Sequence, residues 1–515
     1  MSNRTIFLIQ ALTFSMCCVI SIFTYSQDGS LDLSFDHDGK ITTAIGINND
    51  LGNAVIIQLD GKIVIGGKSG SNAALVRYQT NGSLDNTFGT GGIINNIGCS
   101  NFAGNSLTMQ SDGKLLVGGY CGIFPNFDFA LTRFHHNGIL DNTFGTNGTV
   151  ITPVLNGGDQ GMAVAIQSDG KILQGGYTDN GSNSDFALLR YLENGTLDST
   201  FGNNGKVTTA VGIAGDIIRS ILVQSDGKIV VSGFSYTASS FSYDFVLVRY
   251  NSNGSIDQNF GSAGVTTTAI INSTNDYGES MTIQVDGKII VGGYSYTGYL
   301  LLARYDIHGK LDNSFGNKGT VSTLFGCAYQ NKYSIILQSD GKILIGGYST
   351  LNSPASDFSI ARYKSNGTLD NSFGSNGIVR TPIGNGDDIA TSIAIQPDGK
   401  IVLAGSSYNG SNFDFAAVRY NNEITTGVKK ATNQISKLKF YPNPFSSETK
   451  CQADVSFEEV CLTVYDFSGF QVKQQLNISG KSFKLERDNL PAGLYFIRFT
   501  QKGKTIQSDK LVIID

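Results

Sequence analysis

One signature recurs seven times along this chain, and nothing else in the sequence constrains the fold as tightly. A Gly-x-Leu/Ile-Asp-x-x-Phe element places acids at Asp32, Asp85, Asp141, Asp198, Asp257, Asp312 and Asp370. A Gln-x-Asp-Gly-Lys element begins at Gln58, Gln110, Gln167, Gln224, Gln284, Gln338 and Gln396. An apolar run ends in Arg-aromatic at Arg77, Arg133, Arg190, Arg249, Arg304, Arg362 and Arg419. Self-similarity at a fixed period is the mark of architectures whose units cannot bury their own faces and must stack.

Each unit reads as four strands. In the third unit they are 149–153, 162–167, 171–175 and 186–191, rich in alternating and β-branched residues with no helical period between them. The Asp-Gly between the second and third pieces reads as a two-residue hairpin turn, both positions tolerating positive φ. Such a unit is an antiparallel meander. Radial stacking protects its sheet edges, so the expected fold is all-β: a seven-bladed β-propeller of four-stranded blades over residues 27–420. A linear β-solenoid is the competing arrangement, with shorter coils. The chain opens on a Leu-Asp element and leaves the repeat at Arg419-Tyr420 without one, the offset that closure of the ring by the N-terminal segment needs.

Gly-Ser-Leu-Asp-Asn-Thr-Phe-Gly-x-x-Gly at 82–92, with the Gln-Ser-Asp-Gly-Lys-Ile elements, resembles the delta-60 repeat family over residues 28–420. That resemblance implies a β-propeller-like fold and no common reaction or ligand.

Spacing within the repeat separates scaffold from candidate site. The interval from Arg to the next repeat Asp is 8 residues in every case, whereas that from Gln to Arg runs 19, 23, 23, 25, 20, 24 and 23. Length therefore varies between the third and fourth pieces. In a meander that loop shares a face with the first–second connection, while the Asp-Gly hairpins and the blade-to-blade crossings occupy the other. Variable loops on a rigid scaffold are where binding usually resides. Those loops are rich in Tyr, Ser and Asn, a composition suited to recognition. Tyr120, Tyr177, Phe234, Tyr294 and Tyr348 share one register and are expected to pack between blades. Tyr236, Tyr243, Tyr296, Tyr299 and Tyr408 lie off that register and are the ligand-binding candidates.

Two sets of acids fall on the same face. Eight residues before the repeat Gln stand Asp50, Asp159, Asp216, Asp276 and Asp388; five before the Arg stand Asp128, Asp185, Asp244, Asp357 and Asp414. Such rings could hold Ca²⁺ or a cationic ligand. Recurrence at fixed register favours the alternative, in which each Asp satisfies local backbone donors, and no cofactor is then needed.

Catalytic constellations are hard to find. His37, His135, His136 and His308 lie in the blade-to-blade connections at separate points round the ring, which removes triads and His-based metal sites. Gly66-Gly67 and its equivalents read as strand ends and open no helix, so phosphate loops fail. With many Asp on one face, a carboxylate pair for polysaccharide hydrolysis or lysis stays open. A net charge of −5 without a basic block gives no support for a nucleic-acid partner.

Residues 1–26 read as a signal peptide, with Arg4, an apolar run from Ile6 and small residues before Gln27. No later segment is apolar enough to span a bilayer. Of the seven cysteines, Cys17 and Cys18 leave with the signal; Cys99–Cys121 and Cys451–Cys461 are possible disulfides, with Cys327 left over.

The repeat stops at Tyr420. Residues 421–437 read as a linker, and 438–515 as a small C-terminal β-sandwich with strands at 453–457, 460–465, 483–485, 494–500 and 510–514. Tyr441-Pro442-Asn443-Pro444-Phe445, Val464-Tyr465-Asp466 followed by Gly469, Leu490 through Gly493 to Tyr495, and the terminal Lys510-Leu511-Val512 resemble the type A C-terminal sorting domain of the type IX secretion system. That resemblance implies the type IX machinery as partner and delivery through the periplasm to the outer surface or medium. The expectation is a secreted or surface-displayed, non-catalytic propeller that binds an extracellular glycan or protein. A polysaccharide-acting enzyme and a Ca²⁺-stabilised structural protein are the alternatives.

Overall fold

The computed structural model describes residues 28–514 apart from 100, 327–331, 352, 423–438, 467–470 and 502–503. The leader with Cys17 and Cys18, Cys327, Gly469 and nearly all of the linker lie outside the described residues. Among the described residues every regular element is a strand.

The first blade sets the pattern. After β1 (Lys40–Thr43) come β2 (Asp50–Ile57), β3 (Ile63–Ser69), β4 (Asn72–Tyr78) and β5 (Ile93–Ile97), and the sheet order is β2-β3-β4-β5. Six further four-stranded antiparallel sheets follow, giving seven blades. Their first strands line a central channel and their last strands lie outermost. β1 does not join the first blade: it pairs Lys40 with Val418 through Thr43 with Phe415, supplying the outer strand of the seventh. The ring is therefore closed by the N-terminal segment, as the offset of the repeat requires.

The phase of the blade differs from the sequence reading. The third blade is Asp159–Ile166, Ile172–Asp179, Ser184–Tyr191 and Lys206–Thr209, while the expected first strand, Thr149–Thr152, pairs with Asn126–Phe134 of the second. A period cannot fix a phase; hydrogen bonds do. The Asp85 amide donates to the Arg77 carbonyl and the Arg77 amide to that of Gly92, both at 2.9 Å, folding the Leu-Asp segment back onto its own blade. His135, His136 and His308 accordingly lie in connections within blades, not between them, and His37 lies in the N-terminal segment that leads into β1. They keep their expected face, shared with the hairpins.

Two local readings also change. The hairpin is a three-residue loop: Gln58 N–H donates to Lys62 O at 2.8 Å and Gly61 N–H to Gln58 O at 2.9 Å, with only Gly61 left-handed at φ 82°. This is a type I turn with a bulge, so the glycine alone carries the strained position. Gly66-Gly67 sits inside β3 rather than at its end. A β-bulge between Gly52 and Ala54 brings the facing carbonyl so close that a Cβ on Gly67 would lie 1.9 Å from Leu51 O.

The repeat landmarks turn out to be joints. Arg77 Nε lies 2.8 Å from Asp85 Oδ2, Lys62 Nζ 3.2 Å from the same oxygen, and the guanidinium sits 4.4 Å from the Phe88 ring centroid. The same Arg-over-Phe contact occurs in all seven blades. Each Arg also reaches the next blade: Arg77 donates to His136 O at 2.6 Å, and Arg419 to Thr80 O across the closure. The tyrosine that follows six of the seven Arg is a second joint, since Tyr78 Oη bonds Thr43 Oγ1 at 2.7 Å and Tyr420 Oη bonds Thr381 Oγ1 at 2.9 Å, each time in the preceding blade; Phe134 stands in its place in the second blade.

These joints predict an acid limit. Burial alone would raise the carboxyls of Asp32, Asp85 and Asp141, but Ser/Thr donors and the Lys and Arg partners outweigh it and hold them at about 2. A carboxyl lowered on folding contributes stability above its unfolded value near 4 and loses it as pH falls toward 2. The melting temperature should therefore be flat above pH 5 and drop steeply between about pH 4 and 2, as a pH series by calorimetry would record.

Cys99 and Cys121 are disulfide-bonded. Cys451 and Cys461 are free thiols. They lie ten residues apart on one strand, Glu448–Tyr465, which separates them by roughly 30 Å, far beyond disulfide reach.

The C-terminal unit is one five-stranded sheet built on that long strand. The runs expected at 453–457 and 460–465 are continuous, but register breaks between Gln452 and Val460. Inward residues are odd-numbered before the break (Cys451, Ala453, Phe457) and even-numbered after it (Val460, Leu462, Val464), and both halves share a core with Phe499 and Leu511. A one-residue slip that reverses parity is what a bulge produces.

Candidate functional site

The first acid set is structural. Asp50 Oδ2 accepts the amides of Ile45 and Gly46, and Asp216, Asp276 and Asp388 accept two loop amides each in the same way. Asp159 accepts Val154 N–H and the Thr178 hydroxyl. Each caps the crossing that arrives from the preceding blade. Burial pushes the Asp276 carboxyl up to about 6 in spite of these donors. Three of the second set brace the variable loops, Asp185 accepting Asn180 Nδ2 at 2.8 Å, Asp244 the Ser240 hydroxyl at 2.6 Å and Asp414 Asn409 Nδ2 at 2.9 Å, while Asp357 pairs at 2.8 Å with Arg380 of the outer strand of its blade. Among the described residues no three His, Cys, Asp or Glu side chains group as a metal site.

The aromatic side chains divide less cleanly than their register implied. Phe234, Tyr294 and Tyr348 are buried as expected, while Tyr120 and Tyr177 are only half-buried. Of the off-register candidates, Tyr243 is drawn into a run of rings: Tyr236 to Tyr243 at 5.3 Å, Tyr243 to Tyr277 at 5.6 Å, Tyr277 to Tyr294 at 5.0 Å, and Tyr294 to Tyr333 at 5.6 Å. This run crosses blades four, five and six. Tyr236 is half-buried at its outer end; Tyr296 is 59% exposed, and the same face carries Phe241 at 74%. Tyr299 packs beside blade-five core residues, and Tyr408 stands apart in blade seven against Phe413 at 5.4 Å. The five candidates thus do not form one site.

The strongest departure from symmetry is one the spacing analysis missed. Each β-bulge turns one side chain of the first strand into the central channel: Asn53, Asn105, Met162, Arg219, Glu279 and Thr391, with Lys332 in blade six. The channel has a volume of about 220 Å³. Three of these residues are staples, because Asn53, Asn105 and Thr391 donate to Gly104 O, Gly161 O and Gly52 O of the next blade at 2.8–2.9 Å. The other four are consecutive round the ring and include three charges. Arg219 Nε is 3.6 Å from Glu279 Oε1, and Lys332 Nζ is 3.2 Å from Asn53 Oδ1. Burial raises the Glu279 carboxyl against the pull of Arg219 and Lys332. Counting back five residues from each Gln finds six of the seven, since that column reads Asn, Asn, Met, Arg, Glu, Tyr, Thr while the next position is Ala or Ser in every repeat.

In the C-terminal unit the two ends of the sorting motif meet. Asn443 Nδ2 donates to Lys510 O and Asn443 Oδ1 accepts Val512 N–H, both at 2.8 Å; Phe445 N–H donates to Val512 O at 3.0 Å. Gly493 pairs with Ile513, Tyr495 donates to Pro491 O, and Leu511 is buried, while Tyr441 is 81% exposed. Pro442 accepts the Thr449 hydroxyl, and Pro444 links Asn443 to the buried Phe445.

Comparison with known proteins agrees with this division. Residues 58–88, 110–144, 167–201, 224–260, 284–315, 338–373 and 396–423 each match the family described as Domain of unknown function (DUF5122) beta-propeller. Residues 439–514 match the Secretion system C-terminal sorting domain. No curated protein matches the chain. Solved structures it is similar to include virginiamycin B lyase from Staphylococcus aureus with quinupristin (14% identity, 74% of this chain and 98% of that one, TM-score 0.42). They also include the polysaccharide lyase Uly1 (11%, 74% and 92%, 0.42) and Sqt1 from Chaetomium thermophilum (13%, 73% and 97%, 0.39). Among the described residues no helix is long and apolar enough to cross a membrane. The sorting domain marks the protein for export, and the chain is a seven-repeat DUF5122 β-propeller protein that ends in a secretion system C-terminal sorting domain.

Proposed function

We propose that this is an exported, non-catalytic propeller that binds an extracellular glycan or protein on its variable face, over blades four and five. The observation that carries the reading is where seven-fold symmetry fails: among the described residues, the aromatic run from Tyr236 to Tyr333 has no counterpart in the other blades. Aromatic rings among small polar residues supply rigid contact area at low entropy cost, on sugars and proteins alike. Catalysis on polysaccharide finds less support, because a glycosidase pair needs two carboxylates and, among the described residues, Glu279 is the one carboxylate lining the channel. Calcium has no role in this reading. A glycan array and an extracellular-protein panel probed with the full chain test it. Tyr236→Ala with Tyr296→Ala should lower binding by about tenfold or more, as centrally placed aromatic anchors do, with the melting temperature unchanged. Tyr299→Ala and Tyr408→Ala report on the remaining candidates. Binding that survives replacement of both loops, 234–243 and 294–299, would sink the assignment.

A further inference from the structure

We infer that the central channel is an anion site, taking a compact organic carboxylate on Arg219 and Lys332. This does not rest on the variable-face reading, since the charged residues that would hold the anion are no part of that face, although Tyr333 ends the aromatic run and also lines the channel. The charges decide it. Blades three to six contribute Met162, Arg219, Glu279 and Lys332, two cations to one anion, inside a chain whose net charge is −5. Were these residues only staples like Asn53, Asn105 and Thr391, the guanidinium would be expected to hold a short, paired contact. Instead Arg219 meets Glu279 at 3.6 Å, the Met162 thioether at 3.6 Å and the Phe234 ring centroid at 5.5 Å. None of these uses the planar fork that matches a carboxylate bidentately. The Arg219 side chain is 23% exposed, so it can be reached from solvent within the channel.

Lys332 adds the second cation. Burial, then Arg219, lowers its ammonium to about 8, with Glu279 opposing and Lys68 assisting; Tyr333 follows it in the channel wall. A bound anion relieves that crowding of like charge. The volume corresponds to roughly seven waters at about 30 Å³ each, which suits a small acid or one sugar acid rather than a polymer. The two larger depressions on the surface, of about 620 and 610 Å³, carry a single charged side chain, Lys206, between them.

Thermal shift and isothermal titration on the full chain test the inference with sodium succinate, sodium glucuronate, glucose, sodium phosphate and sodium chloride at matched ionic strength. Succinate or glucuronate should bind saturably at pH 7, and glucose and chloride should not. Arg219→Met and Lys332→Met should each weaken binding by about tenfold or more, the scale of a charge-assisted contact. Glu279→Gln should tighten it, by removing the competing carboxylate, and keeps the test alive should the cation variants fail to fold. Raising pH from 7 to 9 should weaken binding as Lys332 loses its proton. No saturable carboxylate signal above chloride, affinity indifferent to both cation variants, or weaker binding in Glu279→Gln would each overturn the proposal. Saturation by phosphate alone would overturn the carboxylate class.

Discussion

A chain that begins at residue 44 will not melt as one cooperative unit. Residues 28–43 hold the seventh blade shut: β1 pairs with Phe415–Val418, Asp32 takes the Arg419 Nε at 2.7 Å, and Phe35 lies fully buried beneath that guanidinium. Removing them leaves Arg419 charged and buried without its partner, at about 3–5 kcal/mol. Deleting a buried phenylalanine adds about 3–5 kcal/mol more. Together these approach the whole stability of an ordinary domain, 5–15 kcal/mol. Tyr78 would also lose Thr43, so the damage spreads into the first blade. Urea unfolding compared with a chain starting at residue 28 should replace a single transition by a broad one at lower denaturant, or by aggregation. An unchanged midpoint would mean that the ring does not depend on its N-terminal strand.

The second large effect is expected at Arg362→Met. Among the described residues this arginine is the largest fully buried side chain. It bonds Asp370 at 2.9 Å, Asp28 at 2.8 Å and Asn422 at 2.8 Å, and covers the Phe373 ring at 4.5 Å. Methionine fills much of the volume but strands two carboxylates, a loss of about 3–5 kcal/mol. The denaturant midpoint should fall accordingly with an unchanged slope, since the same surface is exposed on unfolding. Binding on the variable face, measured where the variant is still folded, should be unaffected. Arg362 is a joint on the other face.

Much of this was legible in the residues. Seven Arg, seven Leu/Ile-Asp acids and seven Gln-x-Asp-Gly-Lys hairpins gave the blade number, and the missing final Leu-Asp element pointed to closure by the N-terminal segment without naming the strand, which the pairing of Lys40–Thr43 with Phe415–Val418 supplies. The phase of the blade was not legible, because a repeat looks the same wherever it is cut; it took the Asp85–Arg77 and Arg77–Gly92 backbone bonds to show that the fourth strand follows the Arg. The hairpin was misread for a related reason, since Asp-Gly serves both two- and three-residue loops and only the Gln58–Lys62 bond separates them. The channel is invisible to recurrence. Arg219 and Glu279 differ from their counterparts in the other blades at a position next to a column of Ala or Ser, and Lys332 stands one residue off that position. The tyrosines fell between these cases, for Tyr243 is off the shared register yet packs between Phe234 and Tyr277.

In the proposed reading, positions repeated seven times hold the ring and recognition sits where the repetition fails; hydrogen-exchange mass spectrometry of the full chain, with and without the glycan or protein it captures on the array, separates the two roles. Protection should appear in the loops 234–243 and 294–299 and in the strand Asp276–Ile283, while the seven Gln-x-Asp-Gly-Lys hairpins exchange as before. Protection confined to those hairpins, or spread evenly over all seven blades, would contradict it.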